Sequence, residues 1–210
     1  MKRSLILFAL IFAIHLHTFS QNQFLSKTRE LYLTSHSLTG NNLGVQYKSS
    51  TDDKLFYRFG LFNLIVSKTD NVSSNIGNYP ERWIESSVLL QTGIEKRLSI
   101  AEKSNIYYGI DFIGHTSFTR HRLDSPIMPE EEKNIDTFII KAGIGIPLGC
   151  IVNLKNNFFI AVEIEPEIFY EKRTATKNEY KNEWTFANFN LDTETIKISL
   201  IYKWNKKNNH

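Results

Sequence analysis

An all-β fold, an eight-stranded antiparallel up-and-down transmembrane β-barrel, is what three features of this 210-residue chain predict. Its strand-like segments are long and alternate apolar with polar residues. The connections between them alternate short with long. The polar positions within the strands carry glycine as well as charge.

The first twenty residues read as a secretory signal peptide. Lys2 and Arg3 give a basic start, and Leu5–Leu16 is an apolar run too short to span a bilayer comfortably. Thr18 and Ser20 supply the small residues expected before a cleavage site at Gln21. An uncleaved anchor is disfavoured because no positive stop-transfer flank follows. Residues 21–204 then form one domain and 205–210 a short polar tail. Export removes two positive charges, so the net charge falls from +3 to about +1. With no basic stripe interleaved with aromatics, nucleic acid is excluded as a partner. Cys150 is the sole cysteine, so no intrachain disulfide forms, and it lies too far from the signal to anchor a lipid. No later apolar run is long enough for a helical span.

The predicted strands follow in order. Glu30–Leu38 opens the domain, and Thr39–Asn42 (TGNN) is a tight turn. Leu43–Lys48 alternates, and Ser49–Asp53 is a turn cluster. Lys54–Val66 is the next strand, although Asn63 interrupts its apolar row. Residues 67–81 are polar and read as a long loop. Arg82–Arg97 and Asn105–Thr119 are joined by a short turn. Residues 120–134 form a second long loop, with Pro126, Pro129 and the acidic run Glu130–Glu132. Ile135–Cys150 and Phe158–Glu171 pair across Asn153–Asn157. A third loop, 172–185, is rich in Lys, Asn and Thr. Phe186–Trp204 closes the chain as one strand, or as two if it breaks at Asp192–Glu194.

Several of these strands run about 12–16 residues, against about 5–6 in globular proteins and about 9–11 for a tilted membrane strand. Short turns inside and long loops outside are the outer-membrane pattern, and an even strand count places the three long loops outside the cell.

Phe158–Glu171 defines the two faces. One carries Phe158, Ile160, Val162, Ile164, Pro166, Ile168 and Tyr170; the other carries Ala161, Glu163, Glu165 and Glu167. A strand with a wholly apolar row opposite three carboxylates separates a greasy medium from a polar one. Glycine on the polar face fits a crowded barrel interior, where side chains interdigitate, better than it fits a solvated surface. The apolar face therefore meets lipid. Tyr47, Tyr57, Tyr108, Phe158, Tyr202 and Trp204 are expected near the periplasmic interface, with Phe118 and Tyr170 near the outer one. Pro166 cannot donate a ladder hydrogen bond and is expected near the outer rim.

The inward charges are Arg58, Glu85, Glu95, Asp111, His115, Lys141, Glu163, Glu165, Glu167 and Lys197. Eight strands enclose just enough room for side chains. A filled interior of paired charges is thus expected over a narrow ion path, since an isolated buried charge is very costly. A soluble periplasmic barrel with an apolar ligand is the remaining alternative. No metal cluster or phosphate loop is visible, so neither metal nor cofactor is expected.

The signal ending Phe19-Ser20-Gln21, the opening Tyr32…Gly40-Asn41-Asn42…Tyr47 and the last strand Ile196–Trp204 together resemble small porin-like outer-membrane β-barrel proteins of Bacteroidota. The last strand is similar to a barrel-assembly signal, alternating apolar positions that end in an aromatic, though Asn205–His210 extends beyond it. This resemblance implies outer-membrane lipid and the assembly machinery as partners, a monomer, and a structural or surface-interaction role, with an extracellular partner at the loops. Lipid A deacylases carry a His-x-Ser pair like His115-Thr116-Ser117, which with Asp111 would supply base, nucleophile and orienting acid. Here Phe118-Thr119-Arg120 follows in place of small and amide residues, and the register points His115 inward. A non-enzymatic role is the expectation.

Overall fold

The computed structural model describes residues 28–36, 42–71, 80–123, 133–177, 180–191 and 195–205. The predicted signal segment, the turn residues 39–41, the cores of the first two long loops and tail residues 206–210 lie outside these. Eleven strands are formed: β1 (Thr28–His36), β2 (Asn42–Ser50), β3 (Leu55–Asn71), β4 (Glu81–Ala101), β5 (Ser104–Leu123), β6 (Asn134–Gly145), β7 (Leu148–Lys155), β8 (Phe158–Ile164), β9 (Glu167–Lys177), β10 (Tyr180–Asn190) and β11 (Ile196–Asn205).

Alternation of apolar and polar side chains makes each segment a strand with two distinct faces, and antiparallel pairing closes them into a ring. β1 through β5 pair in sequence; β5 pairs β7, β7 pairs β8, β8 pairs β11, and β11 returns to β1. Eight strands thus make a closed barrel in which the ladder has no edge. β6, β9 and β10 prolong the same three chain passes as β7, β8 and β11. They extend the wall from β5 outward as β5–β6–β9–β10.

The rungs fix how the barrel leans. One row runs Asn105, Ile151, Ala161, Ser199, Thr34, Gly44, Phe62, Leu89 and back to β5 at His115. It returns ten residues further along β5 than it began. Such a stagger requires strands tilted by about 35–45° to the barrel axis.

Several boundaries differ from the sequence reading. Ile135–Cys150 is two strands, because Pro147 has no N–H to give and the ladder breaks there. The next pass breaks at Pro166, and the last between Asn190 and Ile196. Three adjacent passes therefore interrupt their ladders at the same level. Around the break Ile146 N–H donates to Pro166 O at 2.9 Å, Gly109 N–H to Pro147 O at 3.0 Å, and Glu165 N–H to Thr195 O at 3.0 Å. Pro166 is not at the outer rim: β9 continues eleven residues beyond it.

The predicted third loop, 172–185, is the β9–β10 hairpin, with Tyr180 opposite Lys177 and Asn190 opposite Glu167. Its β10 half is exposed on both faces up to Asn190, so no buried row set against an exposed one marks it as a strand. Backbone pairing alone makes it a sheet. Asn63, which spoils the apolar row of β3, adopts φ 52° at a bulge between Phe62 and Ile65. Asn156, in the two-residue β7–β8 turn, has φ 53°, as such hairpins require.

The two faces separate as the alternation demands. Phe158, Ile160, Val162 and Ile164 are exposed on the exterior, while Ala161, Glu163 and Glu165 are buried within. The same inversion recurs around the ring. Leu31, Val45, Ile94, Ile110, Phe112 and Leu200 face out, whereas Lys48, Arg58, Glu95 and Asp111 are wholly buried.

Candidate functional site

An ionic plug fills the middle of the barrel. From β3, Arg58 sends NH2 to both carboxylate oxygens of Glu163 at 3.0 and 2.9 Å, and to Asp111 Oδ2 at 3.1 Å. Its NH1 meets Glu95 Oε2 at 3.2 Å. Lys48 Nζ lies 2.5 Å from the same Glu95 oxygen, above the rings of Tyr32 and Tyr107. On the far side Lys197 pairs with Glu165, reaches Glu163 at 3.3 Å and donates to Gln91 Oε1 at 3.1 Å. Gln91 Nε2 in turn bridges Asp111 and Glu165, at 2.5 and 2.6 Å. Toward the end with the short turns Arg97 binds Glu30 at 2.8 and 2.6 Å, touches Glu95 and Tyr32, and stacks 3.5 Å over Phe56.

Small residues make room for these large groups. Gly145 lies beside Glu165, where a Cβ would come 2.8 Å from Glu165 Cδ. Gly93 is the rung partner of Asp111, and a Cβ there would lie 2.7 Å from Asp111 Cα. Gly93 and Gly145 thus cradle buried carboxylates, while Gly44 and Gly60 make room for the Phe62 ring and Gly149 for that of Tyr107.

Of the predicted inward charges, Arg58, Glu95, Asp111, Glu163, Glu165 and Lys197 come together here. Four do not join the plug: His115 bonds Ser87 instead, and the other three lie elsewhere. Glu85 is exposed, Glu167 is half-buried beyond the break, and Lys141 sits higher with Glu171 at 3.4 Å. They share the inner face, but the passes carrying them rise above the closed ring. Glu30, Lys48, Gln91, Arg97, Tyr32 and Tyr107 were missed as members. Parity with Arg58 and Glu95 through the hairpins would have found Lys48 and Arg97; the register, which only the folded ring supplies, was needed for Glu30.

His115, Ser117 and Asp111 are not assembled as a triad. His115 Nε2 bonds Ser87 Oγ at 2.8 Å, and Asp111 is engaged by Arg58 and Gln91.

Above the plug lies a small apolar floor of Phe62, Leu89 and Ile113. Higher still, the inner face carries Phe169, Lys141, Glu171 and Arg173. The exterior has aromatic ends. Tyr47 and Trp204 lie 6.3 Å apart, Tyr202 and Trp204 5.8 Å, and Phe158 and Tyr202 5.4 Å, all near the ends of the strands that meet the short turns. Tyr57 is half-buried and Tyr108 exposed at that same end. At the other end Phe118 pairs across the ladder with Phe138, and Tyr170 is exposed. One exterior position further out, Arg120 and Asp136 form an ion pair at 2.7 Å, followed by Asp70 and Arg82 at 2.7 Å. The exterior is therefore an apolar belt with aromatic borders and ion pairs beyond.

No protein-family model matches the chain, and no curated protein matches it. Among solved structures it is similar to a major outer membrane protein from Thermus thermophilus, with a TM-score of 0.57 and 10% identity over 85% of this chain and 100% of that one. It is also matched to CarO of Acinetobacter baumannii, with a TM-score of 0.34 and 11% identity over 87% and 99% of the two chains. The fold is that of an outer-membrane β-barrel protein.

Proposed function

We propose that the chain is an integral protein of the bacterial outer membrane, of the small eight-stranded kind its sequence resembles in Bacteroidota. It acts there as a closed, non-catalytic barrel with a structural or surface-interaction role. One observation carries this reading: along the same strands, Val162 and Ile164 face outward while Glu163 and Glu165 are buried among cations. A soluble barrel gains nothing from that inversion, whereas a bilayer requires it. The absence of a pore is supported by the plug, whose side chains from seven ring strands leave Lys48, Arg58, Glu95 and Asp111 without solvent contact. The partners proposed are outer-membrane lipid, the assembly machinery at β11, and an extracellular molecule at the outer ends.

Fractionation without detergent tests the location. Recovery in the sedimenting envelope fraction, resistant to alkaline extraction, is the expected result; recovery in the aqueous fraction would exclude it. In planar bilayers the purified protein should show no steady conductance. Ser117→Ala and Ser87→Ala should leave lipid A acylation unchanged.

A further inference from the structure

The exterior changes its chemistry within three consecutive rungs across β3, β4, β5 and β6. The first, Val66–Ser86–Phe118–Phe138, is the outer edge of the apolar belt; Val66 is 84% and Phe138 42% exposed. The next is Lys68–Ile84–Arg120–Asp136, and the one after it Asp70–Arg82–Arg122–Asn134. Residues two apart on a strand share a face, so all these positions point outward with Phe118. The two outer rungs hold four cations and two carboxylates.

Each carboxylate is shared. Asp70 accepts from Arg82 Nε at 2.7 Å and pairs with Lys68 Nζ at 3.1 Å. Asp136 accepts from Arg120 at 2.8 and 2.7 Å, and Arg122 acts on the same carboxylate from the neighbouring rung. The described band therefore keeps two positive charges in excess. Glu81 and Glu85 do not offset them, because odd positions of β4 face inward with Gln91, and Glu81 is held there by His121 at 2.7 Å. Further round the wall the pattern repeats: Lys172 and Lys181 share Glu183, at 2.7 and 2.6 Å. The cations are also reachable. Lys68, Arg82 and Arg120 are 58%, 51% and 36% exposed. Arg120 stands 5.4 Å over the Phe118 ring, so its guanidinium sits where the apolar belt ends.

We propose that this band binds an outer-leaflet lipid whose headgroup carries a phosphate monoester. The acyl chains lie along Val66, Phe118 and Phe138, and the phosphate is met by Arg82, Arg120, Arg122 and Lys68. A phosphate monoester carries about −1.5 to −2 near neutral pH, which matches the excess; a phosphodiester carries less and a zwitterionic head has no net charge. Three of the four cations are arginines, whose planar fork suits phosphate oxygens. Continuity with the apolar belt selects a lipid over free phosphate, since basic groups beside hydrocarbon collect anionic headgroups. The inference rests on the membrane reading above and names the kind of lipid that surrounds the barrel.

The test titrates the full chain, folded in uncharged detergent micelles, with phosphatidic acid, phosphatidylglycerol and phosphatidylcholine of identical chains. Native mass spectrometry counts the lipid retained. Phosphatidic acid should bind saturably, at least about tenfold more tightly than phosphatidylglycerol, and inorganic phosphate at equal concentration should not displace it. The R82Q/R122Q variant, changed at two exposed rung partners, should lose about tenfold or more in affinity while keeping its heat-modifiable mobility. K141Q/R173Q removes as much charge from the inner face and should stay within about twofold of the unaltered protein. No preference of the unaltered protein for phosphatidic acid would overturn the proposal, whether or not the Glu130–Glu132 run supplied the balancing charge. So would an unchanged affinity in R82Q/R122Q, an equal loss in the inner-face variant, or displacement by inorganic phosphate. Recovery of folded protein from the aqueous fraction would instead sink the membrane reading, and the headgroup site with it.

Discussion

Arg58 and Glu163 are separated by 105 residues in sequence, yet in the barrel Arg58 NH2 bonds both oxygens of the Glu163 carboxylate at 3.0 and 2.9 Å, away from solvent. Arg58 also holds Asp111 and Glu95, so three carboxylates depend on one guanidinium. Replacing it with methionine leaves buried charge uncompensated, which costs about 3–5 kcal/mol. Urea titration of the protein in vesicles, read by the heat-modifiable gel shift, should show that loss. R58M combined with Glu163→Gln should recover part of it. Full additivity of the two losses would mean that the pair does not interact.

The glycine cradles make a second expectation. Gly145→Val places a branched side chain against Glu165 Cδ and forces the carboxylate off Lys197. Overpacking of this kind costs about 1–3 kcal/mol. The same change at Gly114, on the lipid-facing side of β5, should cost less than about 1 kcal/mol because no partner faces it from within.

Cys150 reports on the medium outside the barrel. It is exposed on the exterior, between rung partners Ile106 and Val162. In intact membranes it should resist a charged maleimide, which does not enter hydrocarbon, and it should label readily once the protein is unfolded. Rapid labelling of the folded protein in the bilayer would contradict the lipid-facing assignment.

The outer ion pairs give the outer sheet a pH dependence. Hydrogen bonding to Arg82 holds Asp70 below the usual carboxylate range, Arg120 does the same for Asp136, and Lys172 and Lys181 bring Glu183 down to about 2. Folded values below unfolded ones stabilise above about pH 4.5, and that contribution is lost as pH falls through the folded values. These pairs are exposed, so salt should screen them. Carboxyl-carbon NMR titration should give the depressed midpoints, and raising the salt should move them back toward ordinary values.

At the rim with the short turns the Tyr202–Trp204 stack lies at the end of the last strand. Trp204→Ala removes an interfacial aromatic and a ring contact together worth about 0.5–1.5 kcal/mol. If β11 is what the assembly machinery reads, the variant should also insert more slowly with that machinery than its stability loss explains. Equal slowing with and without the machinery would assign the effect to folding alone.

What the linear chain specified was the sidedness of each wall strand. A period of two is a local property, readable from neighbours two apart, and it gave the apolar exterior, the ionic interior and the inner glycines. It also placed a turn within Asn153–Asn157, which the structure narrows to Asn156-Asn157, and marked Asn63 as a break in an apolar row, where the structure shows a bulge. The local pattern could not reveal partners. Whether Glu95 meets Lys48 or Glu85 meets anything depends on the ten-residue stagger of the closed ring, a property of all eight strands together. Nor could it reveal strand where both faces are exposed, as in β10, because its large apolar residues, Trp184, Phe186 and Phe189, fall on both sides and leave no alternation to read. The tertiary structure alone decided the pairing of the buried charges, the shared ladder break at Pro147 and Pro166, and the extension of the wall as β5–β6–β9–β10, since each is set by register between segments far apart in the chain.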